Sequence, residues 1–564
     1  MPALVVESAD KVFLTLAGSS QNVIESANLD GEIAISKDTD AAIFARSDLS
    51  CNGSGSLTIT ARGGHGLKST DDLVITAGTY VISADKTAIL GKDSVRIAGG
   101  TFQLDAGSDA IKANRTDKSG KGYIVIRDGD FQLSADNDGI QAATDLTIAG
   151  GTFNIVTADG HLATTNKPTE EFGFGTLPPG SARDDTRAST STQPDMSFMM
   201  PPDFGSDGNF APPDFPGETN FAPPDMDGQP MRPPELADNA ASEATASASA
   251  KGIKAGANLT ITAGTFTLDC ADDALHADDT LTITGGQLTL STGDDALHAD
   301  NVLTIEGEPQ INILASYEGA EAHEIYVRSG TVTLVASDDG FNAGGGESNF
   351  GPWQANATSS NTETENDETL ARLQIDGGTL RIDAAGDGLD SNGDLIINGG
   401  DIIVNGPTNA GNGALDSGAE SGGDLAIHGG TVLALGASGM AETFSSNSTQ
   451  YSLATTFDTT YQPGEQLTIV DSDDKSRVYT YTFTKSGNSV VFSSPQLQGG
   501  HTYTVTAGAQ EQSITLSAIT NGESHGFGSG SGPGGANGDF TPPDMPGASR
   551  SGQRRPAGQG RRER

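Results

Sequence analysis

The chain has few aromatic side chains and no long apolar run. Only 5% of its 564 residues are aromatic, whereas 74 are glycine. No stretch approaches the roughly 18 consecutive apolar residues of a membrane-spanning helix. So few bulky side chains cannot fill one large globular core, and the composition favours a thin core that is repeated along one axis. We therefore expect no transmembrane segment and a solenoid in place of several globular domains.

Positive charge is also scarce. The chain has 31 Lys and Arg against 75 Asp and Glu, which gives a formal net charge of −44. A surface this negative repels the phosphate backbone of nucleic acids. It favours cations, or a polymer that is neutral or bridged by cations. We exclude nucleic acid as a partner.

A repeat of 22 residues dominates the middle of the chain. It sets the spacing of Leu259, Leu281, Leu303 and Ile325. Within each repeat, apolar residues alternate with Thr, as in half-buried strands, and glycines separate the runs. A fixed period of this kind indicates a solenoid. At ~3.3 Å per residue, 22 residues complete one coil of a three-sided parallel β-helix with rungs ~4.8 Å apart.

The pattern divides the chain into five segments. Proline-rich sequence cannot form a core and interrupts the coils, and the period ends before a group of alternating β runs that we expect to cap the open end. The predicted segments are N-terminal coils at 1–166, a Pro/Asp-rich disordered insertion at 167–250, C-terminal coils at 251–448 with a loop excursion at 344–369, an antiparallel β cap at 449–510, and a disordered Gly/Pro/Arg tail at 511–564.

The two cysteines, Cys51 and Cys270, lie several coils apart. At ~4.8 Å per coil their Cα atoms are far beyond the ~7 Å limit for a disulfide. We expect both thiols to be free. Cysteine usage therefore does not indicate a compartment.

Paired acids recur in register with the coils. Stacking places Asp272 near Asp294 and Asp273 near Asp295, and opposed like charges destabilise a sheet. A bound cation would relieve this repulsion, and carboxylate oxygens suit calcium. The alternative is ordinary turn chemistry. The predicted calcium ligands are Asp272, Asp273, Asp278, Asp294, Asp295, Asp300, Asp338 and Asp339.

Four further side chains are candidates for ligand binding. His276 and His298 are either metal ligands, sugar-stacking groups or a solvated stacked pair, and calcium's preference for oxygen disfavours direct ligation. Lys112 and Lys254 are either surface lysines or the base of a lyase, a role that requires neighbouring cations to lower the lysine pKa. Asp387 and Asp390 are weaker metal candidates than the paired acids.

Several motifs resemble one bacterial family over nearly all of residues 11–507. They include DDALHAD, ASDDGFNAGGG, GDGLDSNGDLIINGG and SSPQLQGGHTYTV. The sequence is similar to the carbohydrate-binding domain-containing β-helix proteins. The resemblance implies a right-handed parallel β-helix shaped like pectate lyases, with bound calcium, that binds polysaccharide outside the cell. Members usually carry an export leader, so we expect a truncated or misassigned start here.

Three functions remain open at this stage. We favour calcium-dependent, non-catalytic binding of an acidic polysaccharide such as polygalacturonate, or of a cellulose-like polymer, by a monomer at the cell surface. A calcium-dependent lyase is the second, although no Arg recurs in register with the acid pairs. The third is a structural adhesin or matrix rod.

Overall fold

The computed structural model describes residues 2–26, 39–163, 249–344 and 370–522. Within these ranges the protein is all-β, with two short 3₁₀ helices, His161–Ala163 and Ala419–Ser421, and no α-helix. None of the described residues forms a helix long and apolar enough to cross a bilayer. Nearly all of the predicted insertion, most of the predicted excursion and the predicted tail from residue 523 onward lie outside the described residues. The first part of the predicted disordered tail, residues 511–522, instead contains most of strand Gln510–Thr515 and the strand Thr520–Asn521.

Three parallel ladders of short strands build the solenoid. The first and second ladders form one 23-stranded sheet, because strands Leu297–Ile305 and Ala320–Val327 run through the corner between them. The first ladder carries the candidate site. Its strands are Leu4–Val6, Ala41–Ala45, His65–Ser69, Ile89–Gly91, Ile111–Ala113, Ile140–Ala142, Ile253–Ala255, Leu275–Ala277, Phe341–Ala343 and Leu389–Ser391, together with the first halves of the two shared strands.

The second ladder contains the apolar residues of the 22-residue repeat. They pair rung to rung and are fully buried, which confirms the predicted inward ladder of Leu259, Leu281, Leu303 and Ile325. Besides the second halves of the shared strands, its strands are Lys11–Leu16, Asp48–Gly53, Asp72–Ile75, Ser94–Ile97, Tyr123–Ile126, Leu146–Ile148, Asn258–Ile261, Thr280–Ile283, Arg372–Ile375, Asp394–Ile397 and Leu425–Ile427.

The third ladder contributes an aromatic stack to the core. Five buried rings lie parallel on successive rungs, with centroids 4.6 to 5.3 Å apart: Tyr80, Phe102, Phe131, Phe153 and Phe266. The strands of this ladder are Gln21–Ser26, Ser56–Ala61, Thr79–Ala84, Thr101–Ala106, Asp130–Ala135, Thr152–Thr157, Thr265–Cys270, Gln287–Thr292, Gln310–Ala315, Thr331–Ala336, Thr379–Ala384, Asp401–Asn405 and Thr431–Gly436.

Antiparallel strands cover the last rung of the third ladder. Thr431–Gly436 pairs with Gly487–Ser493, which pairs in turn with Ser452–Tyr461. The short strand Thr520–Asn521 pairs parallel to Ser452–Tyr461. Strand Gly487–Ser493 thereby pairs with the backbone N–H and C=O groups at the edge of the third ladder, which would otherwise be exposed and unpaired. A separate four-stranded antiparallel sheet follows, in the order Arg477–Thr482, Gln466–Asp471, Thr502–Ala507, Gln510–Thr515.

Both cysteines are free, as predicted, and the structure shows that both are fully buried. Burial raises the pKa of the Cys51 thiol and of the Cys270 thiol to about 12, so neither carries the reactive thiolate near neutral pH. We expect no reaction with a disulfide-exchange reagent in native buffer and reaction of both thiols in guanidinium. Rapid labelling of either thiol in the native protein would contradict this placement.

Candidate functional site

Eight successive coils of the first ladder, from strand Ile111–Ala113 to strand Leu389–Ser391, each present two polar positions. A corner residue precedes the strand, and three residues later a side chain points away from the core. The amide that follows each corner residue donates to the carbonyl of the next corner residue, so these residues stack. The corner column comprises Asp109, Asp138, Lys251, Asp273, Asp295, Glu318, Asp339 and Asp387. The neighbouring strip comprises Lys112, Gln141, Lys254, His276, His298, Glu321, Asn342 and Asp390.

A lysine already occupies the space between two predicted calcium ligands. The Nζ atom of Lys251 lies 2.5 Å from Asp273 Oδ2 and 3.0 Å from Asp272 Oδ1. Burial would raise the pKa of Asp273, but the hydrogen bond from His276 and the charge of Lys251 outweigh it, and the pKa is lowered. The protein therefore supplies part of the positive charge that the stacked acids require.

The two strip histidines form a stacked pair. The rings of His276 and His298 are 4.6 Å apart and nearly parallel. His276 contacts Asp273 through Nδ1 at 2.8 Å and Asp278 through Nε2 at 2.9 Å. Each ring nitrogen of His276 thus lies within hydrogen-bonding distance of one carboxylate oxygen of the protein.

The environment of His298 is more acidic. Its Nδ1 atom lies 3.1 Å from Asp295 Oδ2 and 3.0 Å from Glu321 Oε2, and its Nε2 atom lies 3.3 Å from Asp300 Oδ1. Burial would lower the pKa of His298, but the hydrogen bonds to Asp295 and Glu321 raise it to about 11. Five of the eight predicted calcium ligands therefore contact a lysine or a histidine: Asp272, Asp273, Asp278, Asp295 and Asp300.

The other three predicted ligands lie in two places. One carboxylate oxygen of Asp294 groups with oxygens of Asp272 and Asp273 within 4.8 Å. Asp338 and Asp339 both approach the backbone of Gly386, where a Cβ atom would lie 2.5 and 2.3 Å from their Oδ1 atoms. Only a glycine leaves room for these carboxylates, so the corner of the next coil is shaped around them.

From Glu318 onward, neither column carries a Lys, Arg or His. Burial and the charge of Asp295 raise the pKa of Glu318 to about 10. Burial and the charge of Asp339 raise the pKa of Asp387 to about 8 and raise that of Asp390 as well. We call Glu318, Asp339, Asn342, Asp387 and Asp390 the acidic end of the two columns.

Unpaired polar atoms concentrate on the same two columns. Among the described residues, four buried side-chain atoms lack a hydrogen-bond partner: Arg96 Nε, Gln141 Oε1, Glu318 Oε2 and Asn342 Oδ1. Three of the four lie on the columns. Because buried polar atoms are normally paired, such atoms on one face point to a ligand. Two neighbouring carboxylate oxygens accept hydrogen bonds: Asn342 Nδ2 donates to Glu318 Oε1 at 3.2 Å, and the Asp387 amide donates to Asp339 Oδ1 at 2.6 Å.

The structure places the two candidate lysines on the strip, two rungs apart. Lys112 Nζ lies 2.9 Å from Asp109 Oδ2. Lys254 pairs through its backbone with Gln141 and His276, and its ammonium makes no hydrogen bond or ion pair with a described residue. The strip thus runs from cationic residues to the acidic end.

Sequence reasoning missed Lys251, Glu318 and Glu321. A four-residue motif in the sequence could have identified all three. It consists of the corner residue, a small residue, an apolar residue and the strip residue, in that order. Lys251 begins such a motif directly after the insertion, where the 22-residue count is interrupted. Glu318 and Glu321 belong to the coil SYEGAEA, in which glutamates replace the recurrent aspartate and histidine.

The described residues form a β-solenoid with a continuous polar strip. Comparison with known sequences shows the protein family. The chain matches the carbohydrate-binding domain-containing protein family over residues 1–296 and 296–474, and it belongs to this family. A protein of Acetivibrio thermocellus with the same description is 32% identical over 82 residues, which are 14% of this chain and 29% of that protein. The matched segment thus spans less than a third of that relative. No solved structure matches the chain.

Proposed function

We propose that the chain binds an acidic polysaccharide along the corner column and the strip, with calcium held at the acidic end, and that it does not cleave the polymer. Family membership supports carbohydrate as the partner. The observation that carries the proposal is the concentration of unpaired buried atoms on one rigid face. Rungs ~4.8 Å apart offer a regular series of contacts to a linear polymer.

The proposal extends to the handedness and location of the solenoid. We take the three ladders as a right-handed parallel β-helix, shaped like pectate lyases, that works outside the cell or on its surface. Parallel pairing of successive coils supports this assignment of the fold. An extracellular location agrees with a polymeric partner, because polysaccharides of this type lie outside the cell.

The side chains of the acidic end carry the kind of oxygen atoms that calcium binds. The ion takes six to eight oxygen ligands from carboxylates, amide carbonyls and water, and Glu318, Asn342, Asp339, Asp387 and Asp390 provide such oxygens. Two of these oxygens, on Glu318 and Asn342, are buried and unpaired. A bound calcium ion would supply positive charge between the carboxylates and an attachment point for uronate groups. The paired acids near Lys251 and the histidines are the less suitable place, since protein cations already contact them.

The cationic part of the strip fits the same polymer. The ammonium of Lys254 is available to a uronate carboxylate, and on the neighbouring rung Gln141 Oε1 is a buried acceptor without a hydrogen-bond partner among the described residues. A charge-assisted hydrogen bond to a carboxylate is stronger than one between neutral groups. The two ends of the strip thus recognise carboxylates in two ways, directly and through calcium.

The absence of arginine from both columns favours binding over cleavage. A lyase of this type needs an unprotonated base and a cation that neutralises the substrate carboxylate. Between Asp109 and Asp390 the two columns contain three lysines and no arginine. The rod-like alternative function requires no polymer binding at all, so one experiment separates the three.

Retention of the protein on immobilised polygalacturonate tests the proposal. We expect retention in calcium and release by EGTA, with no ultraviolet absorbance from an unsaturated product. Asp387→Asn combined with Asp390→Asn should weaken retention by about tenfold or more, because charge-bearing calcium ligands are removed. The matched control is Asp130→Asn, which removes an exposed carboxylate from the third ladder.

Each other outcome favours a different function. Equal retention in calcium and EGTA would remove calcium from the proposal. Growth of the unsaturated product in calcium, lost in Lys112→Ala or Lys254→Ala, would make the protein a lyase. No retention on polygalacturonate or cellulose under either condition would leave the rod as the better account.

A further inference from the structure

We propose that Asp295, His298 and Glu321 form a site for a divalent transition metal of the zinc type, separate from the calcium-binding acidic end. The three side chains come from two adjacent coils of the first ladder. One potential ligand atom from each lies within 4.8 Å of the other two. The site lies on the two columns proposed to bind polysaccharide, but metal binding there requires no polysaccharide and does not depend on the function proposed above.

Too many acceptors converge on one ring nitrogen. Nδ1 of His298 carries a single hydrogen at most, yet carboxylate oxygens of Asp295 and Glu321 both lie within 3.1 Å of it. One hydrogen cannot be donated well to both oxygens. A metal ion in the place of that hydrogen would bind all three atoms. The corresponding nitrogen of His276 meets Asp273 alone among its carboxylate partners, so the excess is specific to the His298 coil.

The distances suit a small cation. Ligand atoms ~2.0 Å from a tetrahedral zinc ion lie ~3.3 Å from one another. The two contacts of His298 Nδ1 are 3.1 and 3.0 Å, close to that separation. A water molecule or a ligand group would complete the coordination. The imidazole donor distinguishes the site from calcium sites, which use oxygen ligands.

The second nitrogen of His298 has the partner that metal-bound histidines usually have. Nε2 lies 3.3 Å from Asp300 Oδ1. A carboxylate on the far side of a metal-bound imidazole fixes the ring orientation and the tautomer, and its loss typically weakens metal affinity by about 10–100-fold. Asp300 is exposed, so its removal should change the site with little effect on the core.

Burial and charge favour occupation by a cation. Asp295 is only 5% exposed, and an isolated carboxylate at such a position is costly. Glu318, whose Oε2 atom is buried and unpaired, is the next residue of the corner column. The site therefore lies where negative charge rises along the columns and where Lys251 is two rungs away.

Titration of the metal-free, full-length protein with Zn²⁺ alone tests the site. We expect calorimetry to show a site that a large excess of Ca²⁺ does not occupy, and Co²⁺ at the same site to give the intense visible bands of low coordination number. Glu321→Gln and His298→Gln should each abolish this site. Asp300→Asn should weaken it by about 10–100-fold.

Two histidine variants serve as controls. His276→Gln removes the stacked neighbour, and His501→Gln removes a second group of possible ligands, Asp471, Asp473 and His501, in the antiparallel sheet. Both should retain the zinc site of the wild type. Melting temperatures in EDTA check that each variant is folded. If His298→Gln does not fold, the zinc affinity of Asp300→Asn tests the site. Wild-type zinc affinity in Glu321→Gln and Asp300→Asn, or displacement of zinc by calcium, would overturn the assignment.

Discussion

Phe131→Ala is expected to lower the free energy of unfolding by about 3–5 kcal/mol, the range for removing a buried aromatic ring. The ring of Phe131 lies between those of Phe102 and Phe153, with centroid distances of 4.7 and 4.6 Å, and it is 3% exposed. Its removal leaves a cavity in the middle of the stack, and parallel strands on both sides keep the coils from closing over it. Denaturant titration followed by circular dichroism measures the effect.

Gln132→Ala is the matched control for this substitution. Gln132 follows Phe131 in the same strand, is exposed, and pairs with Gln103 and Asn154 on the neighbouring rungs. An exposed substitution of this kind normally changes stability by less than about 0.5 kcal/mol. Equal losses in the two variants would show that strand pairing, and not the aromatic stack, stabilises this part of the solenoid.

The pairing of the parallel strands could be predicted from the sequence, because the apolar core residues of the regular coils recur at a spacing of 22 residues. Leu259 and Leu281 stand at equivalent positions of nearly identical coils, so their pairing follows from counting. The aromatic stack was not predicted, although Phe131 and Phe153 also stand 22 residues apart. The step from Phe153 to Phe266 crosses the proline-rich insertion, and a count along the chain does not show which coils become neighbours.

The electrostatics of the site were less predictable than its position. The acid stacking argument correctly placed Asp273 beside Asp295, since the Asp295 amide donates to Asp273 Oδ1 at 3.2 Å. It could not anticipate Lys251, which reaches the same carboxylate from the coil before. Whether a stacked acid meets a lysine, a histidine or another acid depends on the identity of the neighbouring coil, and an insertion changes that identity without changing the local motif.

The distribution of charge along the strip connects the binding proposals. Lys254 and the histidines lie on successive rungs, and the acids follow them. A uniform acidic face would repel a uronate polymer over its whole length. In the proposed function, the available ammonium of Lys254 attracts the polymer at one end of the strip, and the carboxyl oxygens at the other end require a cation. Calcium removal should therefore release the polymer, because the contact at the lysine end alone does not hold the chain against the charge of the acidic end.

Acid should destabilise the N-terminal coils through His65, with a loss of about 3 kcal/mol as the pH falls from about 6.5 to about 4. Burial lowers the pKa of His65 to about 4. The amide of Thr87 donates to His65 Nδ1 at 3.2 Å, so this nitrogen carries a lone pair and the ring is neutral. An unfolded histidine titrates near 6.5. Between these values the unfolded chain binds more protons, and stability is lost as the pH falls.

The neighbouring Asp40 stays charged across this range. Burial would raise the pKa of Asp40, but hydrogen bonds from Lys68 and Lys86, at 2.6 and 2.5 Å, lower it. The contribution of Asp40 to the free energy of unfolding is therefore lost only at lower pH.

The carboxyl groups of Glu318, Asp387 and Asp390 at the acidic end have raised pKa values, so protonating them stabilises the folded protein as the pH falls. The effect of His65 must therefore be isolated by comparing variants. We expect the difference in unfolding free energy between wild type and His65→Gln to change by about 3 kcal/mol between pH 7 and pH 4. The control variant is His428→Gln, which replaces an exposed histidine. A constant difference for His65→Gln as well would mean that the pKa of His65 is the same in the native coils as in the unfolded chain.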